Sequence, residues 1–143
     1  MNIYFACSIT GGREFESVYQ AIVQALVEDG HVVPTAHLAE TGVTSVEAVV
    51  EPREVYGRDV KWIQECNVLI AEVSVPSHGV GYEIGFALSI GKQVLALHQQ
   101  GRKVSKMISG NPDSSLQVLS FRDTENAIQI VREFLGRQSL TNE

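Results

Sequence analysis

The stretch from Asn67 to Gly85, NVLIAEVSVPSHGVGYEIG, constrains the fold more tightly than any other part of the chain. Asn67 to Val73 is short, apolar and dense in β-branched residues, which predicts a strand buried on both faces. Pro76 and Gly79 forbid its continuation, so Ser74–Gly79 reads as a turn. From Gly81 the pattern is helical, with Ile84, Ala87 and Leu88 on one face and Gly91 as a helix end. Glu83 is thus expected in the first turn of a helix, just past the carboxyl end of a buried strand, where open α/β sheets hold their ligands. The field of the helix N-terminus is expected to keep that carboxylate ionised and able to attack. An acid that only complements the helix dipole is the plain alternative. Gly79 and Gly81 expose bare backbone beside it and Ser77 adds a hydroxyl, which together suggest a pocket.

Read in order, the rest of the chain alternates strands with helices. Asn2–Cys7 is a first strand, followed by the loop Ser8–Arg13. Phe15, Val18, Tyr19, Ile22 and Leu26 form the stripe of a helix closed by Gly30. His31–Thr35 is expected as a second strand, and Leu38–Val50 as loop with a helical turn. A helix opens near Pro52 and runs to about Glu65. Gln93–His98 and Leu116–Phe121 complete five strands, and a closing helix spans about Thr124 to Leu135. Alternation of this kind implies a parallel sheet with right-handed crossovers and helices on both faces. The expected fold is therefore α/β, a single flavodoxin-like or Rossmann-like domain over 1–136 in the strand order 2-1-3-4-5, with 137–143 a frayed tail. That order brings the loops after the first and third strands to one crevice.

Composition removes several classes of function. A length of 143 residues suits one domain able to bury roughly 70% of its unfolded surface. The net charge of −6 offers no general attraction to nucleic acid or an anionic membrane. No run approaches the ~18 apolar residues of a membrane span, and Met1 leads into a strand without a signal-peptide pattern. A cytoplasmic protein is expected. Cys7 and Cys66 make no metal-site spacing and read as buried thiols.

The first loop lacks both GxGxxG and the P-loop pattern. Its Ser8 hydroxyl and the amides of Gly11 and Gly12 could meet a sugar or phosphate, or could form only a strand-to-helix turn. Asp59 falls within the inward stripe Val55, Trp62, Ile63 and Cys66. A carboxylate facing a core is costly unless paired, hydrogen-bonded or open to a pocket. Pairing with Arg13 or Arg58 is the structural reading. The functional reading is a second carboxyl facing the crevice of Glu83, so that the two divide nucleophile and proton donor between them. On residue type alone, Tyr4 is a packing residue and His37 a solvated loop histidine.

Three segments, IYFACSITGGRE, RDVKWIQECNVLIAEV and PSHGVGYEIG, resemble in order and spacing the Rcl-type 2'-deoxynucleoside 5'-phosphate N-hydrolases of the nucleoside 2-deoxyribosyltransferase family. The resemblance runs from Ile3 to about Val118 and implies a flavodoxin-like sheet and, in most members, a homodimer. It implies Glu83 as nucleophile, Asp59 as the acid assisting departure of the base, and Tyr4 beside the reacting centre. Ser8, Ile9, Gly11, Gly12 and Arg13 correspond to the loop around the substrate, and His37 to a histidine lining the pocket. Ser77, Gly79 and Gly81 correspond to the turn holding a 5'-phosphate. Ser115 (or Ser114) corresponds to a residue reaching the phosphate site of a neighbouring subunit. Thr10 departs from the arginine of mammalian members. The implied reaction is hydrolysis of a deoxynucleotide's N-glycosidic bond without metal or organic cofactor. Transfer of deoxyribose between bases, and a non-catalytic nucleotide-binding module, are the alternatives.

Overall fold

A computed structural model describes residues 1–9 and 12–141 of the chain. Four strands form one parallel sheet: β1 (Ile3–Ala6), β2 (Val68–Glu72), β3 (Gln93–Gln99) and β4 (Leu116–Phe121), hydrogen-bonded in that order. β1 and β2 are buried along their whole lengths, as β-branched, apolar runs covered on both sides must be. The helices are α1 (Glu16–Glu28), α2 (Val43–Glu47), α3 (Pro52–Glu65), α4 (His78–Ser89), α5 (Lys106–Ser109) and α6 (Thr124–Thr141), with a 3₁₀ turn at Ala36–Ala39. Side chains alternate across the strands. Ile3, Phe5, Val68 and Ile70 pack on α1 and α6, whereas Tyr4, Leu69 and Ala71 pack on α3 and α4. No helix among the described residues is long and apolar enough to cross a membrane.

The sheet has four strands, not the expected five. His31–Thr35 makes only an isolated bridge, Val32 with Asn2, at the outer edge of β1. Two backbone bonds hold it there, from Ile3 N to Val32 O (2.8 Å) and from Val32 N to Met1 O (2.9 Å). Pro34 has no N–H to continue the ladder. The next donor on β1, Phe5 N–H, instead goes to the Thr35 hydroxyl at 3.0 Å. A side chain thus takes the place of a strand carbonyl, and Ala36 N turns back onto Val33 O at 3.0 Å. The order 2-1-3-4-5 is accordingly replaced by the four-strand order above.

Two helix boundaries also differ from expectation. α4 begins at His78 rather than Gly81, because Ser77 is its N-cap and accepts a hydrogen bond from Val80 N at 3.3 Å. α6 continues past Gly136 to Thr141. α3 matches its expected span, with Pro52 in its first turn.

Glu72 is the unusual member of the core. It ends β2 on the α1 face, fully buried, with Oε1 accepting from Ser74 N at 2.5 Å. Burial pushes its carboxyl up to about 7, against the opposing pull of Ser74 and Arg102. Folding therefore favours the proton. The cost of charging Glu72 is absent below its ordinary value of 4.5, grows with rising pH, and is complete above about 7. Glu72→Gln keeps the Ser74 acceptor and removes that cost. Melting temperatures measured at pH 5 and pH 8 should show the variant's gain in stability over the parent to be much larger at pH 8.

Candidate active site

Beyond the carboxyl ends of β1 and β2, helices α2, α3 and α4 enclose a cavity of about 470 Å3. Glu83, Asp59, Ile9, Ser77 and Gly79 line it, and Val50, Val55 and Val60 give it an apolar wall. Tyr4 lies beneath, fully buried on the same face of the sheet, and its hydroxyl donates to Glu83 Oε2. Because α4 starts three residues early, Glu83 occupies its second turn and not the first. This overturns the expectation that the helix N-terminus governs its charge. Burial dominates instead and pushes the Glu83 carboxyl up to about 7, with Asp59 repelling its charge and the Tyr4 hydrogen bond favouring it.

Asp59 faces the cavity from α3, half-buried, one turn before the core residue Ile63. Burial lifts its carboxyl above the usual carboxylate range, opposed by Arg58. The pairing with Arg58 considered from sequence is present: Arg58 Nε donates to Asp59 Oδ1 at 2.8 Å. Two carboxyls that share a cavity and repel one another tend to hold one proton between them. Burial raises both carboxyls, so each holds a proton more readily than an exposed acid would.

The turn at the start of α4 supplies a different chemistry. Val80 N is used by the Ser77 cap and Gly81 N by Ser77 O (3.1 Å), while the amides of His78 and Gly79 precede the first helical bond. A Cβ on Gly79 would lie 3.8 Å from Glu83 Oε1 and 4.0 Å from Ser77 Oγ. Glycine therefore leaves both groups open to the cavity.

Other expected residues fall elsewhere. Gly81 lines a neighbouring groove on the far side of α4, which Ser77 also borders. Ser8 is fully buried. Arg13 is spent on backbone carbonyls, donating to Ser8 O (3.0 Å), Leu38 O (2.9 Å) and Glu40 O (3.1 Å). It shapes the loop rather than lining the cavity. Gly12 has φ +127°, a backbone state that favours glycine, and Gly11 lies outside the described residues, as does Thr10. His37 stands behind the cavity wall, its Nε2 3.4 Å from Glu47 Oε1 and its ring edge-on to Trp62. Ser115 bonds Gln93 at 3.3 Å at the amino end of β4, the length of the sheet away from Glu83. Cys7 and Cys66 are buried free thiols, and burial raises Cys7 to about 12.

Sequence reasoning missed Glu47, which lines the cavity and binds Arg58 Nη2 at 2.8 Å. Its signal was a lone carboxylate within the apolar run Val46–Val50, in the segment whose structure the sequence left ambiguous.

Replacing Tyr4 by Phe removes the bond that favours the Glu83 anion. NMR titration of the Glu83 carboxyl should then report a value above about 7, the position it takes with Tyr4 in place. An unchanged titration would show that the phenol does not support the charge.

The sequence model of the nucleoside 2-deoxyribosyltransferase family matches residues 3–130. A Methanosarcina mazei protein provisionally named 2'-deoxynucleoside 5'-phosphate N-hydrolase 1 is 40% identical over 134 residues, covering 94% of this chain and 83% of its own. The human 5-hydroxymethyl-dUMP N-hydrolase is 40% identical over 137 residues, covering 92% of this chain and 78% of its own. Among solved structures, a CMP N-glycosidase of Clostridium botulinum superposes with a TM-score of 0.71 at 21% identity, covering 92% of this chain and 98% of that one, a likeness of fold.

Proposed function

The chain belongs to the nucleoside 2-deoxyribosyltransferase family, and on that premise we propose that it is an N-glycosidase hydrolysing 2'-deoxynucleoside 5'-monophosphates. The products are free base and 2-deoxyribose 5-phosphate. The observation that carries this reading is the pair Glu83 and Asp59 on one cavity, with Tyr4 bonded to the first. A site that only bound a nucleotide anion would gain nothing from carboxyls there. The names of the human and Methanosarcina relatives support the substrate class.

In the first step ionised Glu83 attacks the anomeric carbon as its bond to the base nitrogen breaks. The proton of Asp59 passes to the departing base, which is otherwise a poor leaving group. Tyr4 donates to Glu83 Oε2 and leaves Oε1 for the sugar. In the second step Asp59, now ionised, takes a proton from water as that water displaces Glu83 from the sugar, giving overall retention. The phosphate is held by the Ser77 hydroxyl and the free amides of α4, whose N-terminus favours an anion. Remote phosphate binding thereby orients the reacting carbon. Ile9 and the apolar wall pack on the base, while Arg13 and His37 act from behind the cavity wall, Arg13 by fixing the backbone of its loop and His37 through Glu47. Ser115 acts in trans, contributed to the phosphate site of a homodimer partner, because its own crevice lies at the opposite end of the sheet.

Free base should appear by chromatography after incubation with a deoxynucleoside monophosphate. Glu83→Ala should nearly abolish it, and retained turnover would exclude the covalent route. Asp59→Asn should slow release by about 10²- to 10⁴-fold, the range of a lost general acid. Ser77→Ala should raise KM for deoxynucleotides while sparing any turnover of the unphosphorylated nucleosides; equal losses on both would remove its phosphate role. Adding a second free base separates hydrolysis from deoxyribosyl transfer, since only the transferase yields an exchanged nucleotide.

A further inference from the structure

Behind Asp59 lies a line of charge that the reaction above does not use. Arg58 bridges two carboxylates: its Nε donates to Asp59 Oδ1 at 2.8 Å, and its Nη2 and Nη1 reach Glu47 Oε1 and Oε2 at 2.8 and 3.5 Å. The guanidinium carbon lies over the Trp62 ring, 5.0 Å from its centre. His37 closes the far side of Glu47. Arg58 and Asp59 are neighbours on α3, but Glu47 comes from α2 and is itself largely buried, its side chain 11% exposed.

We propose that Glu47 and Arg58 are positioning residues that hold Asp59 as a proton donor, Arg58 fixing one carboxyl oxygen and Glu47 drawing the guanidinium's charge away from the other. With Oδ1 occupied by Arg58, Oδ2 is the oxygen left to carry the proton into the cavity. An arginine alone would defeat this purpose, because an adjacent cation favours the charged carboxylate and strips the proton. Glu47 divides the attraction of Arg58 between two acids and adds its own repulsion of charge on Asp59. The groups facing Asp59 are Arg58 on its own helix, Glu47 on α2, His37 on the 3₁₀ turn, Glu83 on α4 and Tyr4 on β1. Of these, Glu47 is the acid bound directly to the arginine. Burial works to raise Glu47 itself, but Arg58 outweighs it and holds Glu47 below the usual carboxylate range, so it stays charged while Asp59 cycles.

This inference rests on Asp59 being the acid of the proposed reaction. It is tested by pH profiles of kcat for base release, whose basic limb reports loss of the Asp59 proton. In Glu47→Gln the unshared Arg58 should move that limb to lower pH by about one unit; in Arg58→Gln it should move to higher pH by a similar amount. The double variant should return toward the parent, a coupling that loosened packing would not produce. Limbs that stay in place, or shift in the same direction in both single variants, would overturn the proposal. Should the parent release no base from any deoxynucleotide, the proposed reaction itself fails, an outcome distinct from unmoved limbs in an active enzyme.

Discussion

A carboxylate enclosed where a helix meets a sheet has to be compensated by something, and for Glu83 that is the hydroxyl of Tyr4. The bond joins β1, the first strand of the sheet, to α4 across 79 residues of sequence. It satisfies one carboxyl oxygen and orients the other toward the cavity. Burial holds the carboxyl near neutrality, where it is neither firmly charged nor firmly protonated. The rest of the site is arranged around that condition. Gly79 keeps the open oxygen uncovered, Ser77 starts the helix early enough to place Glu83 a turn deeper, and α3 sets Asp59 opposite.

The consequence is a site whose electrostatics come from enclosure and pairing more than from the helix dipole. Glu83 in the second turn lies beyond the region where the dipole acts strongly. The amides of His78 and Gly79, ahead of the first helical bond, lie nearer the N-terminus, where the dipole is felt most. The cavity adds an apolar wall on its α3 side, where a flat heterocycle loses least by leaving water.

Much of this was legible from residue pattern, and what was not has identifiable reasons. The buried β2, the start of α3 at Pro52 and the crevice after β2 follow from local composition and turn chemistry, which act over a few residues. The fifth strand was misread because His31–Val33 has strand-forming residues. Pairing, however, depends on what the neighbouring edge offers, and there Thr35 supplies a hydroxyl to Phe5 N–H. The family resemblance placed Arg13 in the loop around the substrate, yet its guanidinium is absorbed by three carbonyls, one in its own loop and two in the segment after Ala36. No spacing rule anticipates that.

The alternation of parallel strands with helices, the start of α3 at Pro52 and the stripe that turns Asp59 inward were decided by sequence alone, since each expresses a periodicity or a backbone restriction of adjacent residues. Tertiary structure alone decided which groups meet: Tyr4 with Glu83, Arg58 with Glu47 as well as Asp59, and Ser115 at the opposite end of the sheet. It also decided the charge of the two acids, because solvent exclusion and the placement of neighbouring charges arise only when distant segments close on one another.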